Sequence, residues 1–363
     1  MLPTDRDPAH GRLALPAPRG AASHALLALL TTDHPDADEP ATQVVGRLGL
    51  TGPDDVPVAP DDEDLQLCLT LMYELHYRGL RGVADDWEWD PGLLRARAVL
   101  ERGFERTLRQ LVPAPAPCRT AADVVAELER LTEPSPRPGL ASYLARRGDL
   151  HQFRELLVHR SMYNLKEADP HTWAIPRLHG APKAALVEIQ ADEYGGGRPE
   201  WVHATLFAQS MRGLGLDDTY GAYLDQVPAV SLAVVNAMTM FGLHRRLRGA
   251  SVGHLTAYEM TSTQPNRRYA QGLRRLGLDE ETVRYFAEHV EADAVHEQIA
   301  LRDMAGGLVR QDPGLAADVL FGAQTALALD ELVSDVLLTS WRAGRSALRS
   351  LDLDALERQH VPA

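Results

Sequence analysis

The chain has 363 residues, 45% of them hydrophobic and 24% charged, which is typical of a soluble globular protein with room for two structural units. Its formal net charge of -14 argues against nucleic acid or an anionic membrane as a partner, because both repel a negative surface. No signal sequence and no run of about 18 apolar residues is present, so we expect a cytoplasmic protein. Cys68 and Cys118 are too few for a disulfide framework and are expected to be reduced thiols.

The N-terminal part is predicted to be a loose tail followed by a helical extension. Residues 1–22 contain several Pro, Gly and charged residues and show no periodic pattern of apolar residues. Apolar residues at helical spacing then predict helices over Ala21–Thr31, Thr42–Leu50, Asp62–Arg78, Gly92–Leu111 and Thr120–Leu131. The stretch Thr132–Pro138, with the sequence TEPSPRP, is the clearest linker in the chain.

After this linker, helical patterns follow one another with short breaks, and strand-like alternation is nearly absent. The predicted helices are Gly139–Arg147, Asp149–Ala168, Pro182–Tyr194, Pro199–Leu214, Val227–Phe241, Leu243–Ala257, Pro265–Leu276, Asp279–Leu308, Pro313–Ser340 and Trp341–Arg349. We therefore predict an all-α protein, in which residues 1–138 form the tail and extension and residues 139–363 form a helical bundle. The extension is expected to cover the bundle or to form a homodimer interface.

One predicted helix carries a pattern that indicates metal binding. His289, Asp293 and His296 stand at positions i, i+4 and i+7, so they fall within roughly 60° of arc on one helical face. Two imidazoles and a carboxylate are suitable donors for a divalent transition metal, and iron is the natural candidate. The alternative is a solvated face of a charged helix.

Three further residues could complete such a site. Glu167 lies at the end of a predicted helix, where an anion is unfavourable against the helix dipole unless a metal compensates it. Glu193 closes one helix and His203 lies near the start of the next, with Gly195–Gly197 between them. A backbone break at these glycines could aim both side chains inward, although a surface corner explains the glycines equally well.

Together these six residues supply three carboxylates and three imidazoles, which is the ligand count of a non-haem diiron site inside a helical bundle. A ferritin-like arrangement is an alternative, because Glu200 and Asp293 each precede a histidine by three residues. That arrangement would leave His289 without a role.

The sequence resembles a known family, the iron-containing redox enzymes of the haem-oxygenase-like diiron oxidase and oxygenase group. The likeness covers roughly residues 150–350. It depends on the segments KEADP at Lys166–Pro170 and DEYGGG at Asp192–Gly197, on His203, and on the closing pattern His289-x3-Asp293-x2-His296. The resemblance implies a haem-oxygenase-like helical bundle.

The resemblance also implies a role for each donor. Glu167, His203 and His296 would bind one iron, and His289 and Asp293 would bind the second. Glu193 would bridge the two ions. In this family the second iron site is often completed only with substrate or O2, so one of the two irons per chain is expected to be labile. Haem binding through His151 or His159 is disfavoured, because the clustered carboxylates would oppose a porphyrin.

The activity that the resemblance implies is O2-dependent oxidation at two ferrous ions through a peroxo-diferric intermediate, with an external electron donor. The favoured hypothesis is N-oxygenation of a small amine or amino-acid-like substrate to a hydroxylamine, nitroso or nitro product in secondary metabolism. The first alternative is a diiron oxidase that cleaves a C–C bond of an amino acid or fatty acid or desaturates it. Further alternatives are a non-catalytic helical binding protein, an iron-storage protein or a cofactorless member of the fold.

Four residues near the predicted ligands are candidates for substrate binding. Arg267 and Arg268 could hold a substrate carboxylate by bidentate hydrogen bonds, or they could be surface cations on a helix. Tyr163, one turn before Glu167, could face the irons or belong to the core. Glu259 could receive a substrate ammonium or orient a ligand histidine.

Overall fold

The computed structural model describes residues 11–32, 41–50, 56–134 and 139–349, without the side chains of residues 41 and 291–295. The protein is all-α, which confirms the predicted fold class. None of the described residues forms a β-strand, and Leu13 and Leu80 form an isolated bridge. Within these ranges, no helix combines the length and the apolar character needed to cross a membrane.

The α-helices are α1 (Ala21–Leu30), α2 (Ala41–Arg47), α3 (Glu63–Glu74), α4 (Pro91–Leu111), α5 (Ala121–Leu131), α6 (Leu140–Arg147), α7 (Leu150–Asn164), α8 (Asp169–Thr172), α9 (Gly180–Glu193), α10 (His203–Gly213), α11 (Ala229–Leu243), α12 (Arg248–Thr261), α13 (Thr263–Arg275), α14 (Glu280–Gln298), α15 (Gly306–Gln311) and α16 (Ala316–Arg342). Short 3-10 turns occupy Asp85–Trp89, Ile175–Arg177, Gly195–Gly197, Pro199–Trp201, Arg245–Leu247 and Pro313–Leu315. A π-helix, Ile299–Ala305, joins α14 to α15.

Side-chain caps begin two of the helices that matter most for the site. The Asp149 carboxylate accepts a hydrogen bond from the backbone N–H of Gln152, and the Gln152 side chain accepts one from the Asp149 N–H, which forms a capping box for α7. Asp279 accepts from the N–H and the hydroxyl of Thr282 at the start of α14. Each cap contributes about 1 kcal/mol to the stability of its helix, which explains why α7 and α14 begin where they do.

The chain packs as two compact units. The first comprises the described residues of Met1–Thr107, Thr219–Asn236 and Leu348–Ala363. In it, the buried Asn236 amide donates hydrogen bonds to the backbone and side-chain oxygens of Gln66 on α3. The second unit comprises the described residues of Leu108–Asp218 and Ala237–Ala347. These units describe packing, so the predicted division into residues 1–138 and 139–363 stays a prediction.

The core of the second unit lies between α5, α9, α12, the π-helix, α15 and α16. The axes of α12 and α16 approach so closely that each helix has a glycine against the backbone of the other. A Cβ on Gly253 would lie 1.8 Å from the Val319 carbonyl oxygen, and one on Gly322 would lie 2.0 Å from the Ala250 carbonyl oxygen. The two glycines therefore set the distance between these helices.

Three helix predictions need correction. The predicted helix Trp341–Arg349 is absent, because α16 continues through Trp341 to Arg342 and no helix follows over residues 343–349. The predicted helix Asp149–Ala168 ends at Asn164, because the chain turns at Ala168, which has a left-handed φ of 76°. The predicted helix Asp279–Leu308 is interrupted by the π-helix Ile299–Ala305, whose wider turns pack against α9 and α12. Residue periodicity alone does not distinguish a π-helix from an α-helix over so few turns, and π segments occur often at functional sites.

Candidate metal centre

Four side chains from four segments of the second unit converge on one point. They are Glu167 just after α7, Glu193 at the end of α9, His203 at the start of α10 and His289 in α14. One donor atom from each lies within 4.8 Å of the others, and all four residues are buried. Sequence positions that are up to 122 residues apart therefore form a single cluster of two carboxylates and two imidazoles.

A strained turn positions Glu167. The next residue, Ala168, is the only non-glycine residue with a positive φ in the described part of the chain. An alanine in this left-handed conformation costs on the order of 1–2 kcal/mol, and such strain is found at functional sites. The turn ends α7 and starts α8, so the Glu167 carboxylate enters the bundle instead of facing solvent at a helix end.

The break between Glu193 and His203 runs through three glycines that all have positive φ values, 71°, 57° and 82°. At Gly195, a Cβ would lie 2.7 Å from the Trp201 carbonyl carbon, so the close return of the chain also requires a glycine there. After this reversal, His203 is the first residue of α10. Its Nδ1 atom lies 2.9 Å from Glu193 Oε2, so the break aims both side chains at the same point.

Hydrogen bonds from neighbouring residues hold Glu167 and His289. The Tyr285 hydroxyl contacts both Glu167 oxygens, at 3.0 and 2.8 Å, and the Asn164 amide donates to Glu167 Oε1 at 3.1 Å. The Nδ1 atom of His289 donates to the Tyr285 carbonyl oxygen at 2.8 Å. This bond orients the ring so that His289 Nε2 points at the cluster, 3.6 Å from Glu167 Oε1, as in metal-binding histidines.

The electrostatics of the cluster depend on burial and on the opposed charges. Burial acts to raise the pKa of Glu193, but the positive imidazole charges, that of His203 first, outweigh it and lower this pKa to about 2. For His203 burial acts to lower the pKa, and the Glu193 carboxylate reverses the effect, so the pKa is raised. Glu193 is therefore an anion at neutral pH, which is the form that binds a metal ion.

The other two predicted ligands, His296 and Asp293, are not among these four residues. His296 is buried, with Nε2 2.9 Å from Asp192 Oδ2 and Nδ1 3.5 Å from Glu259 Oε2. Burial acts to lower its pKa, but the two carboxylates, Glu259 first, raise it to about 9. His296 is not in the group of four donors. Asp293 lies within α14, and its side chain is outside the described residues.

The donor set fits iron. Mixed carboxylate and imidazole ligands are those that non-haem iron uses in proteins. The buried atoms Glu193 Oε2 and His203 Nδ1 face each other at 2.9 Å, but the contact is an ion pair without hydrogen-bond geometry, so neither atom has a hydrogen bond among the described residues. An unpartnered buried polar atom costs about 1–3 kcal/mol, and a metal ion would remove that cost. Glu167, Glu193, His203 and His289 are the residues that would hold it.

A cavity of about 50 Å³ adjoins the cluster, and we call it the site cavity. Glu167, Glu193 and His289 line it on the metal side. Its other lining residues are Tyr163, Ala168, His171, Gln190, Leu255, Tyr258, Glu259 and Ser262. Among these described residues there is no lysine or arginine.

The four residues predicted to bind substrate separate into two groups. Tyr163 and Glu259 line the site cavity. Arg267 and Arg268 are exposed on α13 and are not in its lining. A substrate-binding role for any of the four stays a prediction.

Sequence reasoning missed a buried histidine pair beside the site cavity. His171 Nε2 lies 3.2 Å from His254 Nδ1, and the second ring nitrogen of each is buried without a partner among the described residues. Burial lowers the pKa of His171 to about 4 and that of His254 well below its ordinary value, so both are neutral. The only signal was a polar residue in an apolar helix, which buried histidines of many kinds share. Tyr285 and Asn164 were missed as well, since nothing local marks a tyrosine or an asparagine as a partner of a distant glutamate.

Comparison with known proteins agrees with this geometry. The family of iron-containing redox enzymes matches residues 154–331, a range that includes all six predicted ligands. Over 169 residues the chain is 26% identical to nitrosourea synthase from Streptomyces achromogenes subsp. streptozoticus. This match covers 46% of the present chain and only 36% of that relative. The family predicted from the sequence is thus confirmed. The chain belongs to the haem-oxygenase-like family of iron-containing redox enzymes.

Proposed function

We propose that the chain is a non-haem diiron, O2-dependent oxygenase that adds oxygen to the nitrogen of a small amine or amino-acid-like substrate. The observation that carries the proposal is the site cavity, which opens on the buried cluster and is lined by carboxylates without a described cationic residue. Such a lining attracts a protonated amine and repels a carboxylate. The relative's name supports the same choice, because a nitrosourea contains a nitrogen–oxygen bond.

The lining residues supply what a nitrogen substrate needs. An ammonium must lose a proton before its lone pair can react, and Glu259 is a buried carboxylate that can attract the ammonium and accept this proton. The phenol groups of Tyr163 and Tyr258 also line the cavity, and burial raises the pKa of each well above its ordinary value. Both therefore stay protonated and can donate hydrogen bonds to a product oxygen.

The size of the site cavity limits what enters it. About 50 Å³ holds a few molecules of the size of water or O2, so only the reacting end of a substrate fits. This favours a terminal, unbranched amine nitrogen over an internal one. Iron, when bound, supplies O2 activation, with electrons from an external donor.

The first experiment measures iron. The chain is reconstituted with Fe(II) under anaerobic conditions, and the bound iron is counted per chain in the wild type, in Glu193→Gln and in Glu188→Gln. Glu188 is exposed on the same helix as Glu193, so it is a matched control. We expect up to two irons in the wild type and in the control, and a loss of iron in Glu193→Gln. Less than one iron per wild-type chain would contradict the proposal.

The second experiment identifies the reaction. The iron-loaded chain is incubated with amines, amino acids and fatty acids under isotopically labelled O2 and a chemical reductant, and the products are analysed by mass spectrometry. Label on nitrogen supports the proposal. An alkene or a shortened carbon chain from an amino acid or fatty acid would instead assign C–C cleavage or desaturation. Iron uptake without any product would leave only iron storage or binding.

A further inference from the structure

A second cavity in the same unit has the character of an anion site. Its volume is about 210 Å³, and it lies where the 3-10 turn Ile175–Arg177 and the start of α9 meet α12 and α15. Three leucines form its apolar wall, and its polar lining consists of Arg177, His179, Arg248, Gln311 and Asp312. It shares no lining residue with the site cavity, so we call it the arginine cavity.

Arg177 provides a buried donor that lacks an acceptor. Its Nη2 atom donates to the Leu243 carbonyl oxygen at 2.6 Å, which fixes the guanidinium in place. Its Nη1 atom is enclosed and has no hydrogen-bond acceptor among the described residues. Burial lowers the pKa of Arg177, yet an arginine stays charged at neutral pH. A charged N–H without an acceptor is unfavourable, and an oxyanion in the cavity would satisfy it.

The second guanidinium is only partly neutralised. Arg248 donates to Asp312 Oδ2 at 3.0 Å and to the Arg245 carbonyl oxygen at 3.2 Å. The side chain of Arg248 is 18% exposed, whereas that of Asp312 is 48% exposed and also accepts from the Gly314 N–H. The lining therefore contains two guanidinium groups and one carboxylate, an excess of positive charge in a chain whose net charge is -14.

The start of α9 adds to this positive potential. His179 precedes the helix, and its side chain does not cap the first backbone N–H groups of α9. The positive end of the helix dipole favours an anion at this end. Gln311 donates to the His179 carbonyl oxygen at 3.3 Å and so ties α15 to the start of α9.

We infer that the arginine cavity binds a small oxyanion, a carboxylate or a phosphate, through Arg177 and Arg248. Both groups match the paired N–H donors of a guanidinium. The volume is below the range of about 300–1,000 Å³ that is typical for drug-sized ligands, so a small organic acid or a phosphate fits better than a nucleotide. This site is separate from the metal centre and does not depend on the proposed oxygenase activity.

The test is calorimetric titration of the full chain with inorganic phosphate and with succinate. The chain is first dialysed against a chelator, since both anions also bind iron, and the ionic strength is matched with NaCl. Three variants are compared with the wild type. Arg177→Gln removes the unpartnered donor, and Asp312→Asn removes the competing carboxylate. Arg302→Gln is the matched control, because Arg302 is 59% exposed on the π-helix.

We expect Arg177→Gln to weaken binding at least tenfold, since it removes a charged donor that hydrogen-bonds the anion. Asp312→Asn should tighten binding severalfold, and it leaves Arg177 intact in case Arg177→Gln folds poorly. Whichever anion binds more tightly identifies the ligand as a phosphate or an organic acid. Absence of saturable binding, equal weakening in Arg177→Gln and Arg302→Gln, or no tightening in Asp312→Asn would overturn the inference.

Discussion

Helices α12 and α16 pack so closely that the free-energy cost of separating them can be estimated directly from the structure. The α12 helix carries Tyr258 and Glu259, which line the site cavity, so its position matters for the site as well as for the core. The perturbation is Gly253→Ala. A Cβ at this position would lie 1.8 Å from the Val319 carbonyl oxygen and 2.7 Å from its carbonyl carbon. These are backbone atoms, so no side-chain rotation can relieve the contact.

The expected loss in the free energy of unfolding follows from this distance. The helices must separate by about 1.2 Å before the contact reaches 3.0 Å, the shortest that real Cβ atoms show. Overpacking of a core costs about 1–3 kcal/mol, and a rigid backbone obstacle puts this case at about 3 kcal/mol. Alanine gains about 1 kcal/mol over glycine in helix propensity. The free energy of unfolding should therefore fall by about 2 kcal/mol.

The assay is thermal unfolding followed by far-UV circular dichroism. A loss of about 2 kcal/mol lowers the Tm by about 4–8 °C in a domain of 150–250 residues. The control is Gly307→Ala, where the nearest atom to a Cβ is Pro182 Cγ at 3.2 Å, a side-chain atom that can yield. The control should unfold within about 3 °C of the wild type. A Gly253→Ala chain with an unchanged or higher Tm would refute the direct backbone contact.

Three further predictions concern a residue that contacts a proposed iron ligand, a buried histidine and the stabilisation by iron. Tyr285→Phe removes the hydroxyl that contacts Glu167, and iron titration should show an affinity about tenfold weaker; an unchanged affinity would contradict this role. Burial lowers the pKa of His159, which donates to the Ala347 carbonyl oxygen, from 6.5 to about 4. Between pH 6.5 and pH 4 the unfolded chain therefore binds more protons than the folded chain. The free energy of unfolding should be unaffected by His159 above pH 6.5 and should fall by up to about 3 kcal/mol as the pH decreases to 4. The free energy of unfolding, measured with urea, should depend less on pH in His159→Gln than in the wild type. An identical pH dependence in the two chains would contradict this role of His159. Iron at a hundredfold excess over its Kd should raise the free energy of unfolding by about 2.7 kcal/mol, measured as a Tm increase that a chelator reverses and that Glu193→Gln reduces. No Tm increase would contradict metal binding by the folded chain.

Much of the site was visible in the sequence because its donors are local features. Glu167 stands at the end of a predicted helix, where an anion is unfavourable, and Glu193 and His203 flank a run of three glycines. These are conflicts between a residue and its local structure, and such conflicts are expected where a protein keeps a function at some cost to stability. The segments that carry these donors also resemble the family, and the comparison over residues 154–331 confirms that resemblance.

Other features depend on contacts between residues that are far apart in the chain. The hydroxyl of Tyr285 contacts Glu167 across 118 positions, and His171 contacts His254 across 83. Neither contact leaves a periodic pattern, because a single polar residue on a buried helical face has the same local signature whatever it touches. The arginine cavity is hidden for the same reason, since an arginine in a turn is most often a surface cation.

The helical class and the types of donor available could be predicted from the sequence, because they depend on the spacing of apolar residues and on residue type. The packing of the helices determines which donors lie close together. It brings His289 to Glu167, Glu193 and His203, and it places His296 between Asp192 and Glu259. His289 and His296 lie on one helical face but about 10 Å apart along the axis, so different neighbouring helices contact each of them.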